Sequence, residues 1–203
     1  MKKIYFATGN KQKLARMQFL ASSISKDFMI EKVPNLIDVV ENGKTPLENA
    51  QIKVWVYEKL DAPVIAGDTG LYFDDIEFDP THIKREALKN AWKSEEECSQ
   101  EQIFEILLDF YKNLATSKWG EFPFYYIDGF VVKMTNWDYI FRECKRPNIL
   151  TNIFHWEKQL YFPMSNLYKS IKTWKHYMDR TDKDMLTELS EERKFLQEIY
   201  NTL

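Results

Sequence analysis

Short β-prone runs alternate with helix-patterned stretches along the first third of the chain, and this alternation constrains the fold more than any other feature. Residues 3–7 form a short β-prone run that stops at Thr8-Gly9-Asn10. Leu14, Met17, Phe19, Leu20 and Ala21 then recur at roughly helical spacing, which reads as strand, tight loop and helix. Residues 28–33 read as a second strand, and residues 34–44 as a polar loop carrying Asp38, Glu41, Asn42 and Gly43. Thr45, Pro46 and Glu48 supply an N-cap, a first-turn proline and a capping-box acid for a second helix running to about residue 60. Ala62-Pro63 ends that helix, Val64-Ile65-Ala66 is a short buried strand, and Gly67-Asp68-Thr69-Gly70 turns the chain into Leu71-Tyr72-Phe73.

Beyond this β-α-β-α-β opening, helices are expected over 81–93 and 100–115, the second with Ile103, Ile106, Leu107, Phe110, Tyr111 and Leu114 on one stripe. Residues 121–146 are rich in Phe, Tyr, Ile and Val and are broken by Asp128-Gly129, a two-residue signal for an antiparallel hairpin. Two further helices are expected over 166–177 and 190–201. The fold class is therefore α/β, with α+β character in a mixed sheet: an N-terminal β-α-β-α-β core, an antiparallel hairpin-rich lobe and flanking helices. At 203 residues the chain reads as one domain with two lobes, 1–118 and 119–203.

Charge and cysteine content narrow the function classes. Lys and Arg number 28 against 31 Asp and Glu, a net charge of −3, so there is no global positive field for a nucleic-acid backbone. The apolar start is too short for a signal sequence and no membrane-length apolar run follows. Cys98 and Cys144 lie far apart without metal-ligand spacing, consistent with free thiols in a reducing cytoplasm.

Chemistry concentrates in three places. Thr8-Gly9-Asn10-Lys11-Gln12-Lys13 lies where a strand hands over to a helix, a geometry that presents backbone N–H groups and the positive dipole end to an anion; an ordinary turn with solvated lysines is the other reading. Lys53 near the start of the second helix and Glu41 in the loop before it can face one pocket or be surface charge. Asp68 follows an apolar strand, where open α/β sheets line their ligand crevice, and suits Mg²⁺; a turn-forming Asp is the alternative. His82, His155 and His176 are scattered and read as surface or packing residues. Asp74, Asp75, Glu77 and Asp79 read as a second metal contributor or a solvated face. Trp92, Trp119, Trp137, Trp156 and Trp174 offer rings for base stacking, or bulk for core and interface.

These segments resemble the inosine triphosphate pyrophosphatase family. Thr8-Gly9-Asn10-Lys11-Gln12-Lys13 is similar to its T-G-N-x-x-K phosphate loop, Glu48-Asn49-Ala50-Gln51-Ile52-Lys53 to its E-N-A-x-x-K helix segment, and Gly67-Asp68-Thr69-Gly70-Leu71 to its D-D-S-G-L turn. Residues 187–194 look like the segment leading into the family's last helix. The chain departs from the pattern at Arg16, where the family usually carries an acid, and at Gly67, the first acid of the D-D pair. The G-F-G-Y-D-P and S-H-R segments are absent, and the pair His176 and Arg180 lies upstream of where S-H-R belongs.

The resemblance implies a cytoplasmic, homodimeric, Mg²⁺-dependent nucleoside triphosphate pyrophosphohydrolase. Asp68, Lys13 and Lys53 are the expected catalytic residues. Thr8, Gly9, Asn10, Lys13, Lys53, Thr69 and Gly70 are expected on phosphate, and Glu41 and Asp68 on metal. The alternative is a catalytically silent nucleotide-binding or partner-binding protein that keeps the phosphate cradle. A third reading is an active enzyme with a changed base, since the missing segments are those that would read it.

Overall fold

The computed structural model describes residues 1–74, 83–155 and 163–203. Its elements are β1 (Lys2–Phe6), α1 (Lys11–Ile24), β2 (Phe28–Lys32), α2 (Pro46–Trp55), β3 (Val64–Tyr72), α3 (Ile83–Asn90), α4 (Gln100–Ser117), β4 (Glu121–Lys133), β5 (Tyr139–Thr151), β6 (Tyr168–Ser170), α5 (Asp182–Glu188) and α6 (Ser190–Thr202). The strands form one six-stranded sheet in the order β2-β1-β3-β4-β5-β6. β1 runs parallel to β2 and to β3, each reached through a helical crossover as parallel pairing requires. The β4–β5 connection is far too short for such a crossover and so makes that pair antiparallel; β6 is antiparallel to β5. The α/β expectation with a mixed sheet is met.

Two compact units share the chain. One comprises Met1–Gly70, Ile127–Lys145 and Leu189–Leu203, the other Leu71–Tyr126 and Arg146–Glu188. In the first, Ala7, Val33, Ala50, Val54, Val64, Ala66 and Val131 make a core of small and β-branched residues. In the second, α3 and α4 pack with Phe73, Phe122, Phe124, Tyr126 and Tyr168. The rings of Phe124 and Tyr168 meet edge to face at 5.6 Å, an arrangement the aromatic quadrupole favours.

Several local expectations are corrected. Asp128-Gly129 is not a hairpin turn: β4 passes straight through it, and the reversal falls at Met134, whose N–H donates to Asp138 at 2.8 Å. Gly129 is needed for close approach, because a Cβ there would lie 2.4 Å from the Leu47 nitrogen in the first turn of α2. Gly67-Asp68-Thr69-Gly70 is likewise extended strand within β3. A Cβ at Gly67 would lie 2.8 Å from the Phe130 ring, so this glycine too serves approach rather than turning. The helix expected over 166–177 is replaced by a 3₁₀ turn at Pro163–Asn166, strand β6 and a 3₁₀ turn at Tyr177–Asp179. Pairing of β6 with β5 outweighs the apolar spacing there. α2 closes at Trp55, with single turns carrying the chain to Leu60, and α5 was not anticipated.

The described tryptophans are not core. Trp92, Trp119, Trp137 and Trp174 are exposed and all stand at left-handed backbone positions, with φ of 55°, 65°, 69° and 57°. Trp156, His82, Asp75, Glu77 and Asp79 lie outside the described residues. Cys98 and Cys144 are free thiols. Burial first, then the nearby Glu192 and Asp128 charges, push the Cys144 thiol up to about 12, which makes it inert.

Candidate functional site

A cavity of about 260 Å³ in the first unit is lined by Thr8, Gly9, Asn10, Lys13, Glu41, Lys53 and Asp68, with Leu36, Ile37 and Val39 on its apolar side. Three neighbouring parts of the fold converge to make it: the β1–α1 loop, the loop before α2 together with α2, and the middle of β3. β1 and β3 are neighbours in the sheet with Phe6 opposite Ile65, so the loop that follows β1 lies beside the middle of β3.

The α1 terminus is built by its own sequence. The Asn10 side chain accepts from the Gln12 and Lys13 N–H groups at 2.9 and 3.0 Å, and Thr8 Oγ1 accepts from the Asn10 N–H at 3.1 Å. Asn10 is thus an N-cap that consumes two first-turn amides, and the cationic character of this end is left to the dipole and to Lys13. The Thr45 hydroxyl caps α2 by accepting from the Glu48 N–H at 3.1 Å, as its sequence announces. The Glu48 carboxylate reaches the Lys44 N–H at 2.5 Å.

Charges of opposite sign face one another in the cavity. Lys53 Nζ lies 2.7 Å from Glu41 Oε2 and 3.3 Å from Asp68 Oδ1, and Lys13 Nζ lies 3.6 Å from the same Asp68 oxygen. Side-chain exposure of 24% at Lys13 and 19% at Asp68 leaves both reachable but poorly hydrated. Burial pushes the Lys13 ammonium below the ordinary lysine value; Asp68 and Asp128 oppose that shift, and Lys53 and Arg16 add to it.

Asn49 was noted in the sequence without a role. Its Nδ2 donates to Asp68 Oδ2 at 3.2 Å, and its Oδ1 accepts from the Gly43 N–H at 2.8 Å. One side chain therefore orients Asp68 and fixes the loop that carries Glu41. Tyr57 was missed altogether: its hydroxyl accepts from the Ile37 N–H at 2.8 Å and donates to the Asn35 carbonyl at 3.2 Å, pinning the same loop. No sequence pattern announces that contact.

Two expected phosphate residues stand elsewhere. Thr69 and Gly70 do not line the cavity, and Thr69 Oγ1 donates to Asp128 Oδ1 at 2.6 Å. Arg16, at the position of the missing acid, is paired with Asp128 at 3.0 Å. An acid inside the apolar run of β4 was the available signal, read at first as a turn. In the second unit, His155 and His176 stack at 4.8 Å as packing residues, with His155 Nε2 3.0 Å from Asp179. Arg180 is bonded to Glu188 and to the Tyr168 hydroxyl.

Comparison with known proteins gives a consistent likeness. The family model described as the Ham1 family matches residues 4–114. A dITP/XTP pyrophosphatase of Vibrio parahaemolyticus is 33% identical over 109 residues, 53% of this chain and 52% of that protein. One from Vibrio cholerae is 39% identical over 75 residues, 36% of this chain and 38% of its own length. The chain spans about half the length, or less, of these curated relatives. Among solved structures, the Ham1 protein of Staphylococcus aureus superposes with a TM-score of 0.67 at 18% identity, covering 99% of both chains. A HAM1 protein from Coxiella burnetii gives 0.65 at 18% identity over the whole of both.

Proposed function

Taking as premise that this chain belongs to the Ham1 family, we propose that it is a nucleoside triphosphate pyrophosphohydrolase. It cleaves non-standard or modified nucleoside triphosphates between the α- and β-phosphates, releasing monophosphate and pyrophosphate. The observation that carries this reading is the meeting of two lysines and two carboxylates from separate elements in one cavity. The relatives named dITP/XTP pyrophosphatases support the same class of substrate.

The donor set fits Mg²⁺. Glu41 and Asp68 offer hard carboxylate oxygens at an accessible cavity, and Mg²⁺ is typically held by one or two carboxylates plus substrate phosphates and water. Among the described residues no group of three or more His, Cys, Asp or Glu side chains is placed to hold a metal alone, so the ion is proposed to enter with the polyphosphate. Bound there, it supplies charge neutralisation on phosphate oxygens.

The chain's own residues do the rest. Lys13 and Lys53, now held by Asp68 and Glu41, turn to the phosphates and stabilise the charge that develops on the leaving pyrophosphate. Asp68, oriented by Asn49, accepts the proton of the attacking water. Thr8, Gly9 and Asn10 shape the wall against which the phosphates lie. A cytoplasmic homodimer belongs to the same proposal.

Pyrophosphate release across inosine, xanthosine, adenosine, guanosine and modified triphosphates tests the reading. Release from at least one, abolished by chelation, is expected; release from none overturns it and favours a silent nucleotide-binding protein. Inosine triphosphate is expected to be favoured by less than a hundredfold over adenosine and guanosine triphosphates. Rejecting a base requires fixed polar groups, each unmatched one costing about 1–3 kcal/mol, and the segments that carry such groups in the family are missing.

A further inference from the structure

The proposed reaction makes no use of Asp128, although this acid is 0% exposed. A buried carboxylate persists only when paired and hydrogen-bonded. Two donors on its Oδ1 come from elements that carry reactive groups. Thr69, whose hydroxyl donates at 2.6 Å, is the residue after Asp68 on β3. Arg16, whose Nη2 donates at 3.0 Å, stands about one turn beyond Lys13 on α1. The guanidinium also faces the buried Glu192 of α6 at 3.8 Å, which holds α1 from a second side. The next residue, Gly129, lets β4 press against the first turn of α2, the helix of Asn49 and Lys53.

We infer that Asp128 is a positioning residue: through Thr69 it fixes the backbone that aims Asp68, and through Arg16 it fixes the helix that aims Lys13. The inference rests on reading the cavity as the phosphate site. It reassigns the Thr69 hydroxyl from phosphate ligand to anchor, because its proton is committed to Asp128. It also accounts for Arg16: a helix cation facing a strand acid ties α1 to the sheet.

The two roles of Thr69 separate kinetically. As an anchor, Thr69→Val lowers kcat about tenfold, since small misplacement of a reacting group is costly, while KM and the Kd for inorganic tripolyphosphate stay within twofold. Thr69→Ser, which keeps the hydroxyl, holds kcat within threefold of the parent. Asp128→Asn lowers kcat at least as far, and adding Thr69→Val to it costs little more, because Thr69 acts only through Asp128. A tenfold weaker tripolyphosphate Kd in Thr69→Val makes Thr69 a phosphate ligand and overturns the inference; so do additive losses in the double variant. Thr69→Val keeps the Arg16–Asp128 pair, so it carries the test if Asp128→Asn does not fold. Amide hydrogen exchange at residues 67–70 needs no turnover: it is expected to rise at least tenfold in Thr69→Val and to stay unchanged in Thr69→Ser. Unchanged exchange in Thr69→Val overturns the anchor even if no triphosphate is cleaved, whereas absent pyrophosphate release with raised exchange defeats only the enzymatic reading.

Discussion

The unit of Met1–Gly70, Ile127–Lys145 and Leu189–Leu203 sets Lys13, Lys53, Glu41 and Asp68 around an open cavity, whereas the unit of Leu71–Tyr126 and Arg146–Glu188 seals the Arg180–Glu188 pair inside. Lys13 and Lys53 touch Asp68 at 3.6 and 3.3 Å with solvent beside them, so their bonding capacity is unsaturated. Arg180 is instead bonded to Glu188, to the Tyr168 hydroxyl at 3.1 Å and to the Tyr177 carbonyl at 3.1 Å, and lies 4.0 Å over the Tyr177 ring. Thr173 donates to the other Glu188 oxygen at 2.8 Å. Ions left with capacity to spare are suited to a ligand; ions fully satisfied by protein are suited to holding the chain together.

If this division is right, variants in the two units separate activity from stability. The largest effect is expected from Asp68→Asn, which keeps the shape but removes a charge from the reacting centre: pyrophosphate release should fall about a thousandfold, several kcal/mol of barrier, with the melting temperature nearly unchanged. Retained turnover would erase the distinction from the side of the cavity. Arg180→Met does the reverse. It strands Glu188 in a buried place and should cost about 3–5 kcal/mol of stability, read by denaturant unfolding, while the protein that remains folded keeps its turnover. Lys13→Ala and Lys53→Ala come next, each expected to weaken triphosphate binding about tenfold and nucleoside binding hardly at all; titration calorimetry with both ligands checks this.

Smaller effects sharpen the picture of the second unit. Trp119 follows α4 in left-handed conformation and is fully exposed, with Gly120 donating back to the Ala115 carbonyl at 2.9 Å. Glycine is the usual occupant of such a helix end, so Trp119→Gly should stabilise the fold by about 1 kcal/mol, seen as a raised melting temperature. His176 gives the smallest effect. Burial first, then the charge of the stacked His155, hold its pKa below the ordinary histidine value, and its Nδ1 is buried without a hydrogen-bond partner. The unfolded chain therefore takes up a proton more readily, so the contribution of neutral His176 is intact above about pH 6.5 and fades as pH falls toward its lowered value. His176→Phe should flatten the melting temperature between pH 7 and 5; an unaltered slope would place the acid sensitivity elsewhere.

The family likeness divides along the sequence rather than along the fold. The family model matches residues 4–114, while structural superposition on the Staphylococcus aureus protein covers 99% of the chain at 18% identity. A site of the kind proposed restricts which residue types stand at its positions, so the motifs at Thr8, Glu48 and Asp68 were readable in sequence. Packing restricts chiefly volume and polarity, which many sequences satisfy, and the later half left no motif to read.

What the sequence determined by itself was local: the strand and helix order of residues 3–66, the cap at Thr45, and the candidate set Lys13, Glu41, Lys53 and Asp68. Each follows from periodicity or from interactions spanning a few residues. Only the tertiary structure decided that Gly67 and Gly129 sit in strands under close packing, that Thr69 turns away from the cavity, that Asn49 aims Asp68, and that Arg16 has a carboxylate partner in Asp128. Those outcomes depend on contacts between residues from 19 positions apart, as for Asn49 and Asp68, to 112 apart, as for Arg16 and Asp128. Chain entropy opposes such meetings until the sheet has assembled, and no local pattern encodes which distant side chain will be there.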